Sequence, residues 1–373
     1  MSPGSDDVRR MLWVSLPDQR ARRELYWMSR MPGTRVRAMA RQEPVGEVDW
    51  IPSTYRRPIK RFVEAGALAW VRGLDEQDPL AHDWVASLEL CSLVTGQASA
   101  WRRAARAAGS ARPLQAVVTW ENLPDQPLYR IPPYRQALNS CRDADLLLCM
   151  VDAAKDHLLA NGFDEELIRV VKPGVDTALF HPAQEPTQEP VVVFASPLAE
   201  NKGIDRVLQA MRIVRRSIPE ARLRVAGRGP LEHLVRAEAE DPRNGVELMG
   251  TLDAAGVAEV MRSAAVFTTA PRATWKWTEQ LGLAYLEALA SGLAIVTTRC
   301  GTNDEAVHPP NHLVEDSAEA LAEGILHHLA DPVRRAEVGV ANRRHALTHH
   351  DLATQCVAMG AAFSEVEALH RSR

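Results

Sequence analysis

Two glutamates, Glu279 and Glu287, stand eight positions apart on either side of Gln280-Leu281-Gly282-Leu283. Gly282 suits a helix start, Leu283 to Ala290 are good helix formers, Gly292 suits the cap, and Leu293–Thr297 reads as a strand. The N-terminus of such a helix offers backbone N–H groups and the positive end of its dipole, a natural seat for phosphate. A fully helical run between the two carboxylates would span about 12 Å at 1.5 Å per residue. That is close to the reach from a sugar hydroxyl across a diphosphate to a ribose, and each carboxylate could accept from a hydroxyl pair. The competing reading of the same pattern is two solvated charges flanking an apolar helix. Lys202 is one of only five lysines among 44 basic residues and follows the apolar run Val191–Ala195. A cation just after a parallel strand stands where such sheets bind ligands; the alternative is an exposed lysine at a helix start.

Further motifs fall in order around these residues: Asn201-Lys202-Gly203-Ile204-Asp205, Gly227-Arg228-Gly229-Pro230 after Leu223–Ala226, Met249-Gly250-Thr251, Ala290-Ser291-Gly292, and Cys300-Gly301-Thr302-Asn303-Asp304-Glu305. Together with the paired glutamates and their Gln-Leu-Gly insert, they make residues 145 to 350 resemble the retaining nucleotide-sugar glycosyltransferases of family 4. The resemblance implies a GT-B fold, two Rossmann-like α/β domains facing each other across a cleft. It implies that Lys202 neutralises a donor diphosphate, that the N–H groups of Gln280, Leu281, Gly282 and Leu283 hold the distal phosphate, and that Glu287 accepts from the ribose. Glu279 would bind the transferred sugar, and Gly250 and Thr251 would frame the base. No metal or other cofactor is expected, because cations and a helix dipole can stabilise the departing diphosphate.

The chain departs from that family's pattern in three places. Pro197 stands where an arginine is expected five residues before Lys202, so Arg228, Arg272 or Lys276 would have to supply the second phosphate cation. The loop Ser15-Leu16-Pro17-Asp18-Gln19-Arg20 holds no glycine, and Thr119-Trp120-Glu121-Asn122 replaces a histidine. A carboxylate at that strand end could stabilise an oxocarbenium-like sugar or orient an acceptor hydroxyl, so Glu121 joins Lys202 and Glu279 as a candidate catalytic residue. The alternative is a plain loop charge. Asp143-Ala144-Asp145 runs straight into Leu146-Leu147-Leu148 and reads as a turn before a buried strand, not a metal site. The basic, Trp-containing stretches Tyr55–Arg72 and Ala100–Arg112 read as solvated arginine faces, with peripheral contact to an anionic membrane as the lesser reading.

Short apolar, β-branched runs alternating with amphipathic ones must place these residues, the pattern of strands crossed over by helices in parallel sheets. Strands are expected near Met11–Ser15, Val36–Ala40, Trp84–Leu88, Ala116–Thr119, Asp145–Met150 and Ile168–Val171. A second set covers Val191–Ala195, Leu223–Ala226, Val246–Leu248, Ala265–Thr269 and Leu293–Thr297. Ile204, Val207, Leu208, Met211 and Val214 share one helical face. His181–Pro190 carries three prolines and no apolar period, which predicts an acceptor domain over 1–180, a linker over 181–190, a nucleotide-sugar domain over 191–350, and an amphipathic helix over 351–373 able to pack across either.

The 373 residues favour two domains, and 46% apolar with 25% charged residues is ordinary globular composition. A formal net charge of −4 argues against a dedicated nucleic-acid binder, although residues 1–135 carry 20 basic against 15 acidic side chains. Five scattered cysteines read as free thiols in a reducing compartment, and no stretch approaches the ~18 apolar residues of a spanning helix, so a cytoplasmic location is expected. The expected activity is metal-independent transfer of a sugar from a nucleotide-diphosphate sugar to a hydroxyl or amine of a small-molecule or glycan acceptor, in cell-envelope or natural-product biosynthesis. The alternatives are a GT-B epimerase or phosphorylase-like enzyme, and a non-catalytic partner that keeps the fold.

Overall fold

A computed structural model describes residues 8–16, 21–56, 69–123, 127–185, 187–274 and 277–372. The chain divides into two compact units, one of residues 1–172 with 353–373 and the other of residues 173–352.

The first unit holds strands β1 (Arg9–Val14), β2 (Thr34–Ala40), β3 (Val48–Pro52), β4 (Tyr55–Arg56), β5 (Trp70–Val71), β6 (Trp84–Leu88), β7 (Leu114–Thr119), β8 (Leu146–Cys149) and β9 (Ile168–Val170). Its helices are α1 (Ala21–Ser29), α2 (Leu93–Ala107), α3 (Pro132–Ser140) and α4 (Asp152–Ala160). Seven of the strands form a sheet in the order β3-β2-β1-β6-β7-β8-β9, with every pair parallel. Strand β3 was not expected: it lies at the sheet edge, is partly exposed and ends in Pro52, which reads as a breaker in sequence. The Asp143-Ala144-Asp145 turn leads into β8, and Asp145 is buried in an ion pair with Arg102 at 2.5 Å. One arginine of the basic stretch on α2 is thus a core residue, only 1% exposed. Most of the stretch Tyr55–Arg72 lies outside the described residues.

The second unit holds β10 (Val191–Ala195), α5 (Ile204–Ser217), β11 (Arg222–Ala226), α6 (Glu232–Ala239), β12 (Val246–Gly250), α7 (Ala254–Arg262), β13 (Val266–Thr269), α8 (Leu283–Ala290), β14 (Ala294–Thr298), β15 (His312–Val314), α9 (Ala318–Ala330) and α10 (Pro332–His349). The sheet order is β12-β11-β10-β13-β14-β15, all parallel. The expected face of α5 is buried: Ile204, Val207, Leu208, Met211 and Val214 pack with Leu223, Val225, Leu321 and Ile325. Burial of each such side chain contributes about 1.5–3 kcal/mol over leaving it in water.

The division falls between Lys172 and Pro173, ahead of the expected 181–190 linker. Arginines of α10 tie that proline-rich segment to the second unit: Arg343 donates to the carbonyls of Phe180 (2.7 Å) and Thr177 (3.0 Å), and Arg335 to that of Thr187 (3.0 Å). Helix α11 (Leu352–Arg371) packs on the first unit. There Glu367 accepts from Arg9 Nε at 2.6 Å and Trp84 Nε1 at 2.7 Å, and Phe363 meets the Trp84 ring edge-on at 4.7 Å.

Candidate active site

In the second unit the strand order reverses between β10 and β13, and the crevice beyond the carboxyl ends of strands at such a switch point is where open α/β sheets bind ligands. The chain leaves β10 into the short turn Glu200–Lys202, which Gly203 closes in a left-handed conformation (φ 68°) before α5 begins. The turn is locked to the strand next door. Ala270 N–H donates to the Lys202 carbonyl at 3.3 Å, Arg272 N–H donates to that of Asn201 at 3.1 Å, and a Cβ on Gly203 would lie 1.8 Å from the Ala270 carbonyl oxygen. Sequence alone gives no sign of this close approach.

Between β13 and the start of α8, the described residues 270–274 and 277–282 belong to no helix or sheet strand. Glu279 therefore precedes the helix and Glu287 lies on it, the two carboxylates standing on either side of the helix start as the sequence suggests. The intervening Gly282 (φ 77°) cannot continue a right-handed helix. What the structure brings together is Lys202 and Glu279: Nζ donates to Oε2 at 2.7 Å. The lysine side chain is 20% exposed and the glutamate 8%. The same ammonium sits 4.6 Å from the centre of the Trp277 ring, a neighbour that sequence reasoning missed although Trp-Lys-Trp precedes the motif.

Glu279 is held from behind by the loop after β14. Thr302 N–H donates to its carbonyl at 3.1 Å, and Thr302 Oγ1 donates to the carbonyl of Gln280. Gly301 passes so close that a Cβ there would come within 2.0 Å of the Glu279 carbonyl oxygen. Leu281 is fully buried and anchors the approach to α8, whose N-cap residue is the side-chain-less Gly282 and whose first turn carries no acidic residue. Tyr285 of α8 shares hydrogen bonds with Thr269 (2.9 Å) and Thr297 (3.0 Å), and burial, with the Glu279 charge second, raises its hydroxyl pKa. Glu287 is half-buried on the same helix.

Gly250 ends β12, and its carbonyl accepts from Gly227 N–H at 2.7 Å, which places Gly250 and the exposed Thr251 beside the Gly227–Pro230 loop. Among the three substitute cations, Arg272 is ion-paired with Asp205 and Lys276 lies outside the described residues. Arg228 is exposed and makes no ion pair among the described residues; its carbonyl accepts from Leu198 N–H at 2.9 Å, beside Pro197.

Glu121 belongs to the first unit, at the carboxyl end of β7. Its Oε1 accepts from Leu123 N–H at 3.0 Å and so shapes its own loop. The structure adds Glu89, which sequence reasoning overlooked although it directly follows an expected strand. It stands at the switch point between β1 and β6 and is the one non-glycine residue with positive φ (66°) among the described residues. Thr119 Oγ1 donates to Glu89 Oε2 at 3.0 Å and accepts from Glu121 N–H at 3.1 Å. Burial, with the Glu121 charge second, pushes the Glu89 carboxyl up to about 8.

Two parallel doubly wound sheets with this crevice define the GT-B class. The structure superposes on that of Anabaena HepE, solved in complex with UDP, with a TM-score of 0.72 at 15% identity, covering 96% of this chain and 100% of that one. It also matches sucrose-phosphate synthase of Thermosynechococcus elongatus, with a TM-score of 0.68 at 16% identity, covering 97% and 100%. Residues 189–331 match the family model described as glycosyl transferases group 1. A GDP-mannose-dependent monoacylated alpha-(1-6)-phosphatidylinositol monomannoside mannosyltransferase of Corynebacterium glutamicum is 32% identical over 160 residues, 42% of each chain. A GDP-mannose-dependent alpha-(1-6)-phosphatidylinositol monomannoside mannosyltransferase of Mycolicibacterium smegmatis is 28% identical over 235 residues, 58% of this chain and 62% of that protein. The matches thus span 42% and 62% of these relatives' lengths. Residues 189–331 thus match the glycosyl transferases group 1 family, and the chain has the GT-B fold of the solved structures it superposes on.

Proposed function

We propose that this protein transfers a sugar from a nucleotide-diphosphate sugar to a hydroxyl or amine of a glycan or small-molecule acceptor, with retention at the anomeric carbon and without a metal. The observation that carries the reading is the 2.7 Å meeting of Lys202 and Glu279 at the switch point, beside the glycine-marked start of α8. A cation and a carboxylate so placed suit the two ends of a donor: Lys202 neutralises the diphosphate, and Glu279 accepts from a hydroxyl of the transferred sugar. The N–H groups at Gln280–Leu283 and the dipole of α8 hold the distal phosphate, Glu287 accepts from the ribose, and Gly250 and Thr251 frame the base.

In the reaction, the bond from the anomeric carbon to the phosphate oxygen breaks and its electron pair leaves with the diphosphate. The acceptor oxygen attacks from the same face, and its proton passes to the departing phosphate. The chemical need is charge stabilisation of the leaving group, which Lys202, Arg228 and the helix terminus supply. The mannosyltransferase relatives and the UDP-bound structural neighbour support a nucleotide-linked donor, and the former support cell-envelope biosynthesis. Glu121 and the first unit serve the acceptor in this reading, in the cytoplasm where such donors are made.

The test is direct. UDP and GDP are titrated in EDTA while the melting temperature is followed, and UDP-glucose and GDP-mannose are then offered with candidate acceptors, the anomeric configuration of the product being read by NMR. A ligand that binds only the folded state must raise the melting temperature. Absence of both stabilisation and product defeats the reading, an inverted product defeats retention, and loss of activity in EDTA defeats metal independence.

A further inference from the structure

We propose that Trp277 is a positioning residue for Lys202: its indole face holds the ammonium in place when the Glu279 carboxylate leaves it for the sugar. This rests on the roles given to Lys202 and Glu279 above, and it assigns the ring a task of its own.

The lysine ammonium has two neighbours of different kinds, the Glu279 carboxylate at 2.7 Å and the Trp277 ring centre at 4.6 Å. Donor binding asks the first to change partners. A carboxylate that accepts from a sugar hydroxyl no longer fixes the ammonium, and a lysine on its four-carbon stem would then spread over several rotamers. A ring face can hold it without taking its donors, because the attraction is between the charge and the ring quadrupole, and indole is the strongest such face. The N–H groups stay available to phosphate oxygens.

The ring is itself held. Thr274 N–H donates to the Trp277 carbonyl at 2.7 Å and Trp277 N–H to that of Thr274 at 3.3 Å, which ties the two backbones together, and Trp277 is half-buried. The lysine stands on the turn that Gly203 presses against Ala270. Ring and ammonium are therefore carried by the chain that follows two adjacent strands, β13 and β10, and each is tied down by backbone hydrogen bonds of its own.

The experiment is a double-mutant cycle of Trp277→Leu and Lys202→Met, read by calorimetric Kd for UDP and GDP and by donor KM and kcat with UDP-glucose and GDP-mannose. Trp277→Leu should weaken diphosphate binding about two- to thirty-fold and raise donor KM with it, while Trp277→Phe should keep most of the affinity. In the Lys202→Met background the same replacement should change nothing further, since the ring acts through the ammonium. An equal loss in both backgrounds would mean that the ring touches the ligand itself, and undiminished binding by Trp277→Leu would mean that it does nothing; either overturns the proposal. Trp277→Phe carries the same cycle at smaller amplitude should the leucine variant fail to fold. If the wild-type protein binds none of these nucleotides, the transferase reading falls first and takes this one with it.

Discussion

Gly203→Ala would test the site through its backbone alone. The new Cβ would lie 1.8 Å from the Ala270 carbonyl oxygen, where a carbon and a carbonyl oxygen normally approach no nearer than about 3.3 Å. The turn carrying Lys202 must then move by roughly 1.5 Å relative to the loop after β13. Added to a 2.7 Å ion pair, that shift carries Lys202 Nζ beyond hydrogen-bond reach of Glu279. Alanine at φ 68° costs a further ~1–2 kcal/mol of stability wherever it is placed. Gly33→Ala isolates that second cost, because Gly33 has φ 63° and nothing within 4 Å of where its Cβ would stand, and it lies in the other unit. Both variants should melt lower than the wild type, Gly203→Ala by more because the clash with Ala270 adds to the shared backbone penalty. Only Gly203→Ala should lose function, with kcat/KM down about a hundred-fold for a displacement above 1 Å, and with the stabilisation by nucleoside diphosphate largely gone. Near-wild-type kcat/KM in Gly203→Ala, or an equal loss in Gly33→Ala, would refute the argument that this contact sets the geometry of the site.

The first unit makes a pH prediction. The Glu89 carboxyl is raised from 4.5 to about 8, so its ionisation favours the unfolded chain; the stability present below pH 4.5 is lost progressively as pH rises towards 8. Glu89→Gln should therefore melt above the wild type at pH 8.5 and close to it at pH 4.5, as followed by circular dichroism. Arg228→Ala should weaken UDP or GDP binding by about ten-fold, in line with a charged hydrogen bond of ~1.5 kcal/mol, in calorimetry at low salt, whereas unchanged affinity would mean that the cation missing at Pro197 has no substitute there. Glu121→Gln should lower kcat by at least ten-fold, in the range of a lost charge-stabilising group, with donor Kd unchanged; unaltered turnover would leave this carboxylate the loop-shaping role it already has with Leu123.

Most of the strands and the apolar face of α5 could be read from the chain, because period-two and period-3.6 patterns record which side of an element meets the core. The strands that were missed are short or at an edge: β3 ends in proline, β15 is three residues long with half-buried side chains, and β4 and β5 are two residues each. At the site, sequence delivered Lys202, Glu279 and the glycine-marked start of α8, since each residue type carries its chemistry with it. It also placed the two glutamates on either side of a helix start at Gly282, where α8 begins at Leu283.

Residue chemistry, the alternation of strands and helices, and the family resemblance were thus determined by the amino-acid sequence itself, because they depend on side-chain type and on spacings of a few residues. The tertiary structure alone decided that Lys202 meets Glu279 across 77 positions, that Trp277 faces the same ammonium, and that Glu89 lies beside Thr119 and Glu121. Such meetings depend on which strands become neighbours. In a doubly wound sheet the reversal of strand order brings together the loops after β10 and β13, and no local pattern in the chain encodes that adjacency.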